Sequence, residues 1–368
     1  MRKRALTLLD VAKAAKVSKT TASNVFSFPE RVRPALRQRV EEAARQLGYN
    51  GPDPRGRMLS SGKVNAIGVV PVGNFGITLF FTHEYNREFL AGVAATCEER
   101  GVGLSLVSGQ DGAWGINTAL VDGFIFSTVE QMNMIEPVRR RLPMVMSGAT
   151  APGVSSVVVE DRKGSREATR HLLKLGHRRF VIASVLFEFR PPVFHPPGKS
   201  RKFVAAGQPM PERMAGVAEA LAEFGMSLDD MPIMEACGTP EEEEAFGNGA
   251  AMALDMAPEA TAVIALSDGV ALSIIERAKK RGLLVPRDLS VVGFDDIASA
   301  ALSDPPLTTV SHSAFENGRL SARLLLDGGP PQQVVLPVEL VVRGSTAAPR
   351  RQRAKGTAQG APAAMVED

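Results

Sequence analysis

The stretch from Thr7 to Phe26 decides the N-terminal fold and reads TLLDVAKAAKVSKTTASNVF. Thr7 is a good N-cap, and Asp10 follows three residues later near the positive end of the helix that it opens. The apolar residues of this helix recur at helical spacing, at Leu8, Val11, Ala12 and Ala15. Ser18 is a second N-cap. The pattern therefore predicts two short helices separated by a tight turn at Lys16-Val17.

A third helix is predicted from Pro34, which suits a first helical turn, to Leu47, with Gly48 as its stop signal. Three helices of this kind make a helix-turn-helix, whose second helix enters the DNA major groove with its N-terminal half. We expect DNA contacts from the polar residues Thr7, Ser18, Lys19, Thr20, Thr21, Ser23 and Asn24. The alternative is that these residues are solvated caps on an exposed polar face.

The charge of the chain is concentrated at this end. Residues 1–63 contain fourteen basic and five acidic residues, a net charge of +9, although the whole chain of 368 residues carries only +3. The remaining residues carry −6, so the rest of the chain is mildly acidic. A basic head on an acidic body suggests a nucleic-acid partner for the head alone.

Composition excludes several classes of protein. The length suggests two or three domains, and two cysteines, Cys97 and Cys237, are too few for a disulfide scaffold or a zinc cluster. No apolar run is long enough to span a membrane, and residues 1–30 lack the apolar core of a secretory signal. We therefore expect a soluble cytoplasmic protein in a reducing compartment, without a metal, a cofactor or a membrane partner.

The stretch 7–26 resembles the head of the LacI/GalR (lac-repressor) family of bacterial transcription regulators, which usually reads T-x-x-D-V-A-x-x-A-G-V-S-x-x-T-V-S-x-V. The string EEAARQLGY, residues 41–49, is similar to the third helix of that family. Two positions depart from the pattern. Lys16 stands where the turn usually has Gly or Asn, at a left-handed position that costs roughly 1–2 kcal/mol. Asn24 stands where the family often reads a base with Arg or His.

Residues 50–63 have the composition of a linker, rich in Gly, Pro and Ser with basic residues. The resemblance implies that this segment becomes a hinge helix on operator DNA and that a leucine from each subunit wedges into the minor groove. Leu59 and Met58 would form the wedge, with Arg55 and Arg57 available for phosphates. The alternative is an ordinary flexible tether.

From Val64 onward, short apolar runs alternate with amphipathic stretches, which indicates parallel sheets covered by helices. Several motifs of this region resemble the same family, among them HLLKLGHRR at 171–179, ALSDGVA at 265–271, SVVGFDD at 290–296 and PLTTV at 306–310. The resemblance implies a multidomain α + α/β chain, with a three-helix head and a two-lobed, periplasmic-binding-protein-like (type I) effector domain.

The expected divisions are a head at 1–49, a hinge at 50–63, an effector-binding and dimerisation domain at 64–349 and a disordered tail at 350–368. Within the effector domain, the first lobe is expected at 64–159 and 294–312, and the second at 160–293 and 313–349. The chain should cross between the lobes near Val159, near Gly293 and near Val310–Ser313. Residues 186–211 form an insertion that is either a lid or a loop.

Within the cleft, the resemblance assigns effector contacts to Arg213, which begins a helix, and to Asp268, which follows a strand. A fixed guanidinium and a carboxylate that converge on one cleft suit a polyol such as a sugar, or a nucleobase. Asp295 and Asp296 are expected to support the hinge or the dimer region instead. The full set of expected effector residues is Tyr85, Asn86, Phe89, Asp161, Arg213, Asp268 and Phe294.

The sequence thus predicts a dimeric, effector-controlled transcription regulator, acting as a repressor on pseudo-palindromic double-stranded operator DNA, with a sugar-like effector. A solute-binding protein without a DNA role is the competing interpretation, and it would need a signal peptide and no basic head. An enzyme is the third possibility. It finds no support in the sequence, which shows neither a nucleophile–base pair nor a metal-ligand pattern, so no catalytic residue is assigned.

Overall fold

Three helices form the head. The structure, a computed structural model, describes residues 6–49, 51, 62–71, 76–109, 114–126, 141–186, 191–198, 209–236 and 249–350. The head helices are α1 (Leu8–Ala14), α2 (Lys19–Ser27) and α3 (Pro34–Leu47). Their buried core is made of small apolar side chains, namely Val11, Ala12, Ala15, Ala22, Val25, Val40, Ala43 and Ala44. The predicted hinge helix, with Arg55, Arg57, Met58 and Leu59, lies outside the described residues, as does the tail from 351 onward.

Local hydrogen bonds define the ends of the head helices. The Thr7 backbone N–H and hydroxyl donate to the Asp10 carboxylate at 2.9 and 2.7 Å. The Ser18 hydroxyl accepts from the Thr21 backbone N–H at 3.0 Å, as the N-cap prediction required. Helix α3 ends at Gly48, whose φ of +70° is left-handed. The predicted stop and start signals of the head are therefore present in the structure.

The turn between α1 and α2 contains the predicted left-handed residue. Lys16 has a φ of +53°, a region that residues with a Cβ rarely adopt. The Arg39 guanidinium of α3 donates to the carbonyl oxygens of Ala15 and Lys16, at 2.6 and 3.2 Å. Arg39 therefore connects the third helix to the turn and helps to hold its backbone in place.

The body contains two sheets, each within its own lobe. Among the described residues, the first sheet has the strand order β12-β5-β4-β3-β1-β2. Its strands are β1 (Ala66–Val70), β2 (Gly103–Leu106), β3 (Phe124–Phe126), β4 (Met144–Ser147), β5 (Ser155–Val159) and β12 (Gln333–Leu336). The pairings from β12 through β5, β4 and β3 to β1 are parallel. The helices of this lobe are α4 (Gly76–Phe80), α5 (Glu84–Arg100), α6 (Trp114–Thr118) and α12 (Ala314–Asp327).

The second sheet has the order β13-β11-β10-β9-β6-β8-β7 among the described residues. Its strands are β6 (Phe180–Val185), β7 (Val193–His195), β8 (Ile233–Ala236), β9 (Ala262–Ala265), β10 (Ser290–Asp295), β11 (Thr308–Ser311) and β13 (Glu339–Val341). Only its edge strands β7 and β13 run antiparallel to their neighbours. The helices are α7 (Asp161–Lys174), α8 (Met210–Glu223), α9 (Gly249–Met256), α10 (Asp268–Lys280) and α11 (Ala298–Leu302). In the described ranges, none of the helices has the length and apolar character that a membrane span needs.

Sheet membership corrects the expected division of the body into lobes. Residues 294–312 were expected in the first lobe, but β10 and β11 belong to the second sheet. Helix α12 contributes to the core of the first lobe, and β12 pairs with β5 there, whereas β13 returns to the second sheet. The chain therefore crosses between the lobes at about residues 160, 312 and 337, and β10 continues through Gly293 without crossing.

Gly293, where the sequence predicted a crossing between the lobes, has a packing role within the second lobe instead. A Cβ added to Gly293 would lie 2.1 Å from the Asp268 carboxylate, so the glycine allows the carboxylate to approach β10. Part of the 186–211 insertion also has regular structure, because Val193–His195 forms the edge strand β7 beside β8. The His195 imidazole there pairs with the buried Glu235 carboxylate at 2.7 Å.

Candidate functional site

The candidate DNA-binding residues of the head lie at the start of α1 and along the solvent-facing side of α2. Thr7, Ser18, Lys19 and Thr20 are exposed, and Thr21, Ser23 and Asn24 are half-buried. The opposite side of α2 is apolar, with Ala22 and Val25 buried in the head core. The amphipathic helix therefore holds its polar half in solvent, where side chains of this kind can reach phosphates and base edges. The Ser18 hydroxyl is already used as the N-cap.

Arg213 is the centre of the polar cluster in the body. It lies in the first turn of α8 and is 5% exposed. Its Nε donates to Asp161 Oδ1 at 2.8 Å, and its Nη1 donates to Asp295 Oδ1 at 3.1 Å and to the Leu266 carbonyl oxygen at 2.7 Å. The guanidinium also lies 3.6 Å above the centroid of the Phe294 ring, a cation–π contact.

The charges of this cluster depend on each other. Burial disfavours the ionised form of Arg213, but Asp295 and Asp161 outweigh burial and raise its pKa. Burial would likewise raise the pKa of Asp295, but Arg213 and His312 outweigh it and hold that pKa below its usual range. Burial of Asp161 prevails over Arg213, so the Asp161 pKa is raised. The Arg213–Asp295 ion pair is therefore the electrostatic core of the cluster.

The first lobe contributes Tyr85 from α5 and Asn317 from α12. The Tyr85 hydroxyl accepts from Asn317 Nδ2 at 3.3 Å, and Asn317 Oδ1 accepts from the Ser147 hydroxyl at 2.9 Å. Burial, followed by the nearby Asp295 charge, raises the pKa of Tyr85, so the phenol stays neutral near pH 7. These hydrogen bonds hold Tyr85 within the first lobe, where its hydroxyl lies in the electrostatic field of Asp295 and Arg213.

His312 lies where the chain crosses between the lobes for the second time. Its Nε2 lies 3.3 Å from Asp295 Oδ1, and its ring packs between Tyr85 and Phe294, with centroids 5.4 and 5.6 Å away. Its Nδ1 is buried without a hydrogen-bond partner among the described residues. His312 therefore connects the aromatic and the charged parts of the site.

A cavity of about 420 Å³ lies between the lobes beside this cluster. The first lobe contributes Thr82, His83, Glu84, Tyr85 and Arg87 to its walls. The second lobe contributes Ser267, Gly269, Leu272, Ser273, Glu276, Asp295, Ile297 and Ser299. The residues from the β9–α10 connection and the end of β10 lie at the carboxyl ends of parallel strands, where ligands of open α/β sheets bind. The walls are rich in hydroxyl and carboxylate groups, which suit a ligand with many hydroxyls.

Contacts between α5 and α11 join the two lobes beside this cavity. The Glu84 carboxylate of the first lobe accepts from the Ser299 backbone N–H at 3.2 Å, and it also accepts from the Ser299 hydroxyl. Burial, and then Glu84, raise the pKa of the neighbouring Glu88, which accepts from the backbone of Ala298. The start of α5 is therefore hydrogen-bonded to the start of α11 across the lobes.

Asp268 does not have the position that the family resemblance implied. It is fully buried, and its two oxygens accept from the Thr309 hydroxyl at 2.6 Å and from the Ile297 backbone N–H at 3.1 Å. Burial, and then the Asp295 charge, raise its pKa to about 8. Asp268 therefore holds β11 and the start of α11 in place, and Asp295 is the aspartate that faces the cavity.

Three further candidates differ from their expected positions. Phe89 is 2% exposed and packs in the core of the first lobe, so it is not a cleft wall. Asn86 donates its amide to the Phe80 carbonyl oxygen at 3.2 Å, which stabilises the approach to α5. Phe294 lies beneath Arg213, where it supports the guanidinium. Of the expected effector residues, Tyr85 lines the cavity, and Asp161 and Arg213 lie in the cluster next to it.

Sequence reasoning assigned Asp295 to the hinge or the dimer region instead of the cleft, and it missed His312, Asn317 and Glu84. Asp295 had a usable signal, because it directly follows the buried strand Ser290–Phe294 and so lies at the carboxyl end of a parallel strand. The other three come from separate helices or from a crossing segment, and no local motif marks them. Within the described ranges, no group of three or more His, Cys, Asp or Glu side chains is arranged to hold a metal ion.

Comparisons with known proteins agree with both parts of the chain. The family model described as bacterial regulatory proteins, lacI family, matches residues 7–51, and the periplasmic binding protein-like domain matches residues 169–346. An HTH-type transcriptional regulator of Mycobacterium tuberculosis is 34% identical and covers 94% of this chain and 98% of its own length. The HTH-type transcriptional repressor CytR of Escherichia coli K12 is 31% identical, with 94% and 97% covered.

Among solved structures, a complex of the transcriptional regulator CelR with cellobiose superposes with a TM-score of 0.63 at 28% identity, covering 93% of this chain and all of the other. The lac repressor dimer bound to operator and the anti-inducer ONPF has a TM-score of 0.72, covering 94% of this chain and all of the other. At 22% identity, that match shows the fold alone.

A helix-turn-helix head followed by a two-lobed body with a polar cleft defines a ligand-responsive, DNA-binding transcription regulator. With full-length relatives above 30% identity, this chain belongs to the lacI family of bacterial regulatory proteins. The competing interpretation, a solute-binding module without a DNA role, is thereby excluded.

Proposed function

We propose that the protein is a homodimeric repressor that binds a pseudo-palindromic operator and changes its operator affinity when a sugar-like effector occupies the cleft. The observation that carries the DNA part is the polar, solvent-facing side of α2 above an apolar core. The name of the E. coli relative, a repressor, supports the regulatory sign. The cellobiose complex of CelR and the dimeric, operator-bound lac repressor support the sugar and the dimer.

Within the head, Lys19, Thr20 and Asn24 are the residues that we assign to the major groove. The charge of the basic head provides salt-dependent affinity through phosphates, and the short polar side chains provide base discrimination. A dimer presents two such helices, so its operator is expected to repeat the same half-site with inverted symmetry. Arg55, Arg57, Met58 and Leu59 remain assigned to the hinge.

In the body, we assign effector contacts to Tyr85 and to the cluster that holds Asp161, Asp295 and Arg213. An effector alters DNA binding only if it has a different affinity for the two arrangements of the lobes. The Glu84–Ser299 contact, which joins the lobes beside the cavity, is one place where such a difference arises. We further propose that the protein works in the cytoplasm by binding and without catalysis, in line with its relatives' names as transcription regulators.

Fluorescence anisotropy with labelled DNA from upstream of the protein's own operon tests the proposal. We expect saturable binding that tightens as salt falls, and a change of affinity when the cognate member of a sugar panel is added. The Asn24→Arg variant is expected to select a different operator consensus while still binding DNA. Equal affinity for the upstream region and for random DNA would contradict the proposal, and so would an unchanged consensus for the Asn24 variant.

A further inference from the structure

The walls of the interlobe cavity contain more carboxylates than cations. Glu84 enters from the first lobe, and Glu276 and Asp295 enter from the second. Among the described lining residues, Arg87 and His83 accompany these carboxylates. Two of the carboxylates also have cationic partners outside the lining, since Glu276 pairs with Lys280 and Asp295 pairs with Arg213. Glu84 instead accepts from Ser299, which is uncharged. Since a cavity with low-dielectric walls concentrates the field of its charges, these carboxylates disfavour an anion inside it.

The one guanidinium on the rim already has protein partners. Arg87 Nη1 donates to the carbonyl oxygens of Phe81 and Thr82, at 2.8 and 3.1 Å, on the segment that leads into α5. Arg87 is also exposed, so water screens its charge. Its guanidinium is therefore held on the rim by backbone acceptors and offsets the three carboxylates only in part.

Arg213, the strongest candidate for binding an anion, is also neutralised. Two carboxylates, Asp161 and Asp295, accept from it at 2.8 and 3.1 Å, and a third acceptor is the Leu266 carbonyl oxygen. It lies behind Asp295 and is 5% exposed. An anionic ligand would have to displace a buried carboxylate to reach the guanidinium, which leaves that carboxylate uncompensated.

We infer that the cavity selects an uncharged polyhydroxy effector and rejects its phosphorylated or carboxylated counterpart. The carboxylates of Glu84, Glu276 and Asp295 would accept hydrogen bonds from ligand hydroxyls, and the hydroxyls of Ser267 and Ser299 are suited to the remaining polar groups. A phosphate placed within about 4–5 Å of one of these carboxylates loses roughly tenfold or more in affinity. This inference rests on the proposed function, because it specifies the class of effector that the same cleft takes.

Isothermal titration calorimetry on the full-length protein tests the inference with matched pairs of probes. The pairs are ribose with ribose 5-phosphate and glucose with glucose 6-phosphate, together with cellobiose as a larger neutral probe. We expect any binding to the cavity to be to neutral members, with each phosphorylated partner at least about tenfold weaker. A phosphorylated sugar that binds as tightly as its neutral partner would overturn the inference, provided that Arg87→Gln abolishes the binding.

Inorganic phosphate gives an answer even if no sugar of the panel binds. At constant ionic strength, we expect the wild type and Arg87→Gln to give the same weak, unsaturated heats, because any phosphate bound by the basic head is common to both. Saturable binding below about 1 mM that Arg87→Gln removes would overturn the inference. The absence of such binding supports it.

The Glu276→Gln variant links the effect to the named charges. The substitution removes one carboxylate and leaves the Lys280 ammonium without its ion-pair partner, and both changes make the site less negative. We therefore expect the discrimination against the phosphorylated probe to fall by about threefold or more. The exposed variant Glu98→Gln, on the far part of α5, serves as its matched control and should leave the discrimination unchanged. Operator binding is measured on the same preparations. Absence of specific operator binding would contradict the proposed function, whereas the charge selection of the cavity is tested by the calorimetry alone.

Discussion

The head and the cleft reach their geometry by opposite routes. In the head, the contacts that cap the first two helices are local, since Thr7 with Asp10 in α1 and Ser18 with Thr21 in α2 are each three residues apart. In the cleft, Arg213 meets Asp161 and Asp295, which lie 52 and 82 residues away in the chain. The candidate DNA-binding side chains are polar, and most of them are exposed or half-buried, whereas the charges of the cleft cluster are buried.

This difference predicts how strongly substitutions in each region change the stability of the protein. A local cap contributes about 1 kcal/mol, and its loss leaves the rest of the helix in place. A buried charge that loses its partner costs several times more, because the remaining charge stays out of water. We therefore expect substitutions in the cleft cluster to have large effects on stability, and substitutions in the head to have small ones.

The largest effect is expected for Arg213→Met, which keeps an unbranched apolar stem and removes the charge. Asp161 and Asp295 are then left buried without their partner, and the free energy of unfolding of the body should fall by about 3–5 kcal/mol. Urea denaturation followed by circular dichroism measures it. The control is Arg162→Met, whose ion pair with Glu212 is half-exposed and contributes about 1 kcal/mol or less. Equal losses for the two variants would mean that the cluster is no stronger than a surface pair.

The next effect is a dependence on pH. The pKa of Asp268 is raised from 3.8 to about 8, so the folded state binds a proton that the unfolded state has already lost between these values. The stability due to this proton is complete below pH 3.8 and is lost as the pH rises toward 8. Asp268→Asn keeps a similar shape without ionising, so its stability relative to the wild type should increase between pH 5 and pH 8 in urea titrations.

Asp288→Asn is the control of opposite sign. Arg287, and then the Leu284 backbone N–H, lower the pKa of Asp288 to about 2. Its contribution is present above the unfolded pKa of 3.8 and is lost only as the pH falls toward 2. The difference in the free energy of unfolding between Asp288→Asn and the wild type should therefore stay constant between pH 5 and pH 8. A flat difference for Asp268→Asn as well would show that Asp268 ionises normally.

A smaller effect is expected when the α2 cap is removed. Ser18→Ala deprives the Thr21 backbone N–H of its acceptor and should cost the head about 1 kcal/mol. Hydrogen exchange of the α2 amides in the full-length protein measures this loss. Ser23→Ala, which changes the same residue type inside the helix, should slow exchange slightly or leave it unchanged, because alanine is the better helix former. Faster exchange in both variants would show that the Ser18 cap has no special role in stabilising α2.

The smallest effect concerns the turn. Lys16→Gly relieves a left-handed backbone with φ of +53°, and the Arg39 hydrogen bond to the backbone remains possible. Because the gain is offset by the greater flexibility of glycine when unfolded, we expect the head to be stabilised by less than about 1 kcal/mol. Lys13→Gly, within α1, should destabilise the head by about 1 kcal/mol in the same exchange experiment. A destabilised Lys16→Gly would show that the lysine side chain stabilises the turn.

The two regions also differ in how far the sequence predicts them. The head was predicted closely, including its caps, the Gly48 stop and the unusual backbone of Lys16, because short-range rules determine each of these features. The parallel sheets of the body were also predicted, since buried strands and amphipathic helices have distinct periods. Which lobe receives α12 and β12 depends on pairings far apart in the chain, and there the prediction was wrong.

The sequence-based prediction of the cleft residues was limited in the same way. Arg213 and Asp268 were both expected to face the cleft, but Asp268 is buried and Asp295 is the aspartate that lines the cavity, although both stand at the end of buried strands. A sequence pattern cannot tell which carboxylate is covered by Thr309 and the Ile297 backbone and which one faces the cavity. Phe89 was misplaced for a similar reason, since an apolar residue near a cleft equally suits the adjacent core.

The central claim is that α2 reads the operator, and one measurement tests it most directly. Operator and random-DNA affinities are compared for the full-length wild type and for a Thr20→Ala/Asn24→Ala variant, at one salt concentration. Because base contacts contribute about 1–3 kcal/mol each and phosphate contacts are unaffected, we predict operator binding weakened by about tenfold or more and random-DNA binding unchanged. Unchanged operator affinity, or an equal loss on both DNAs, would contradict the account.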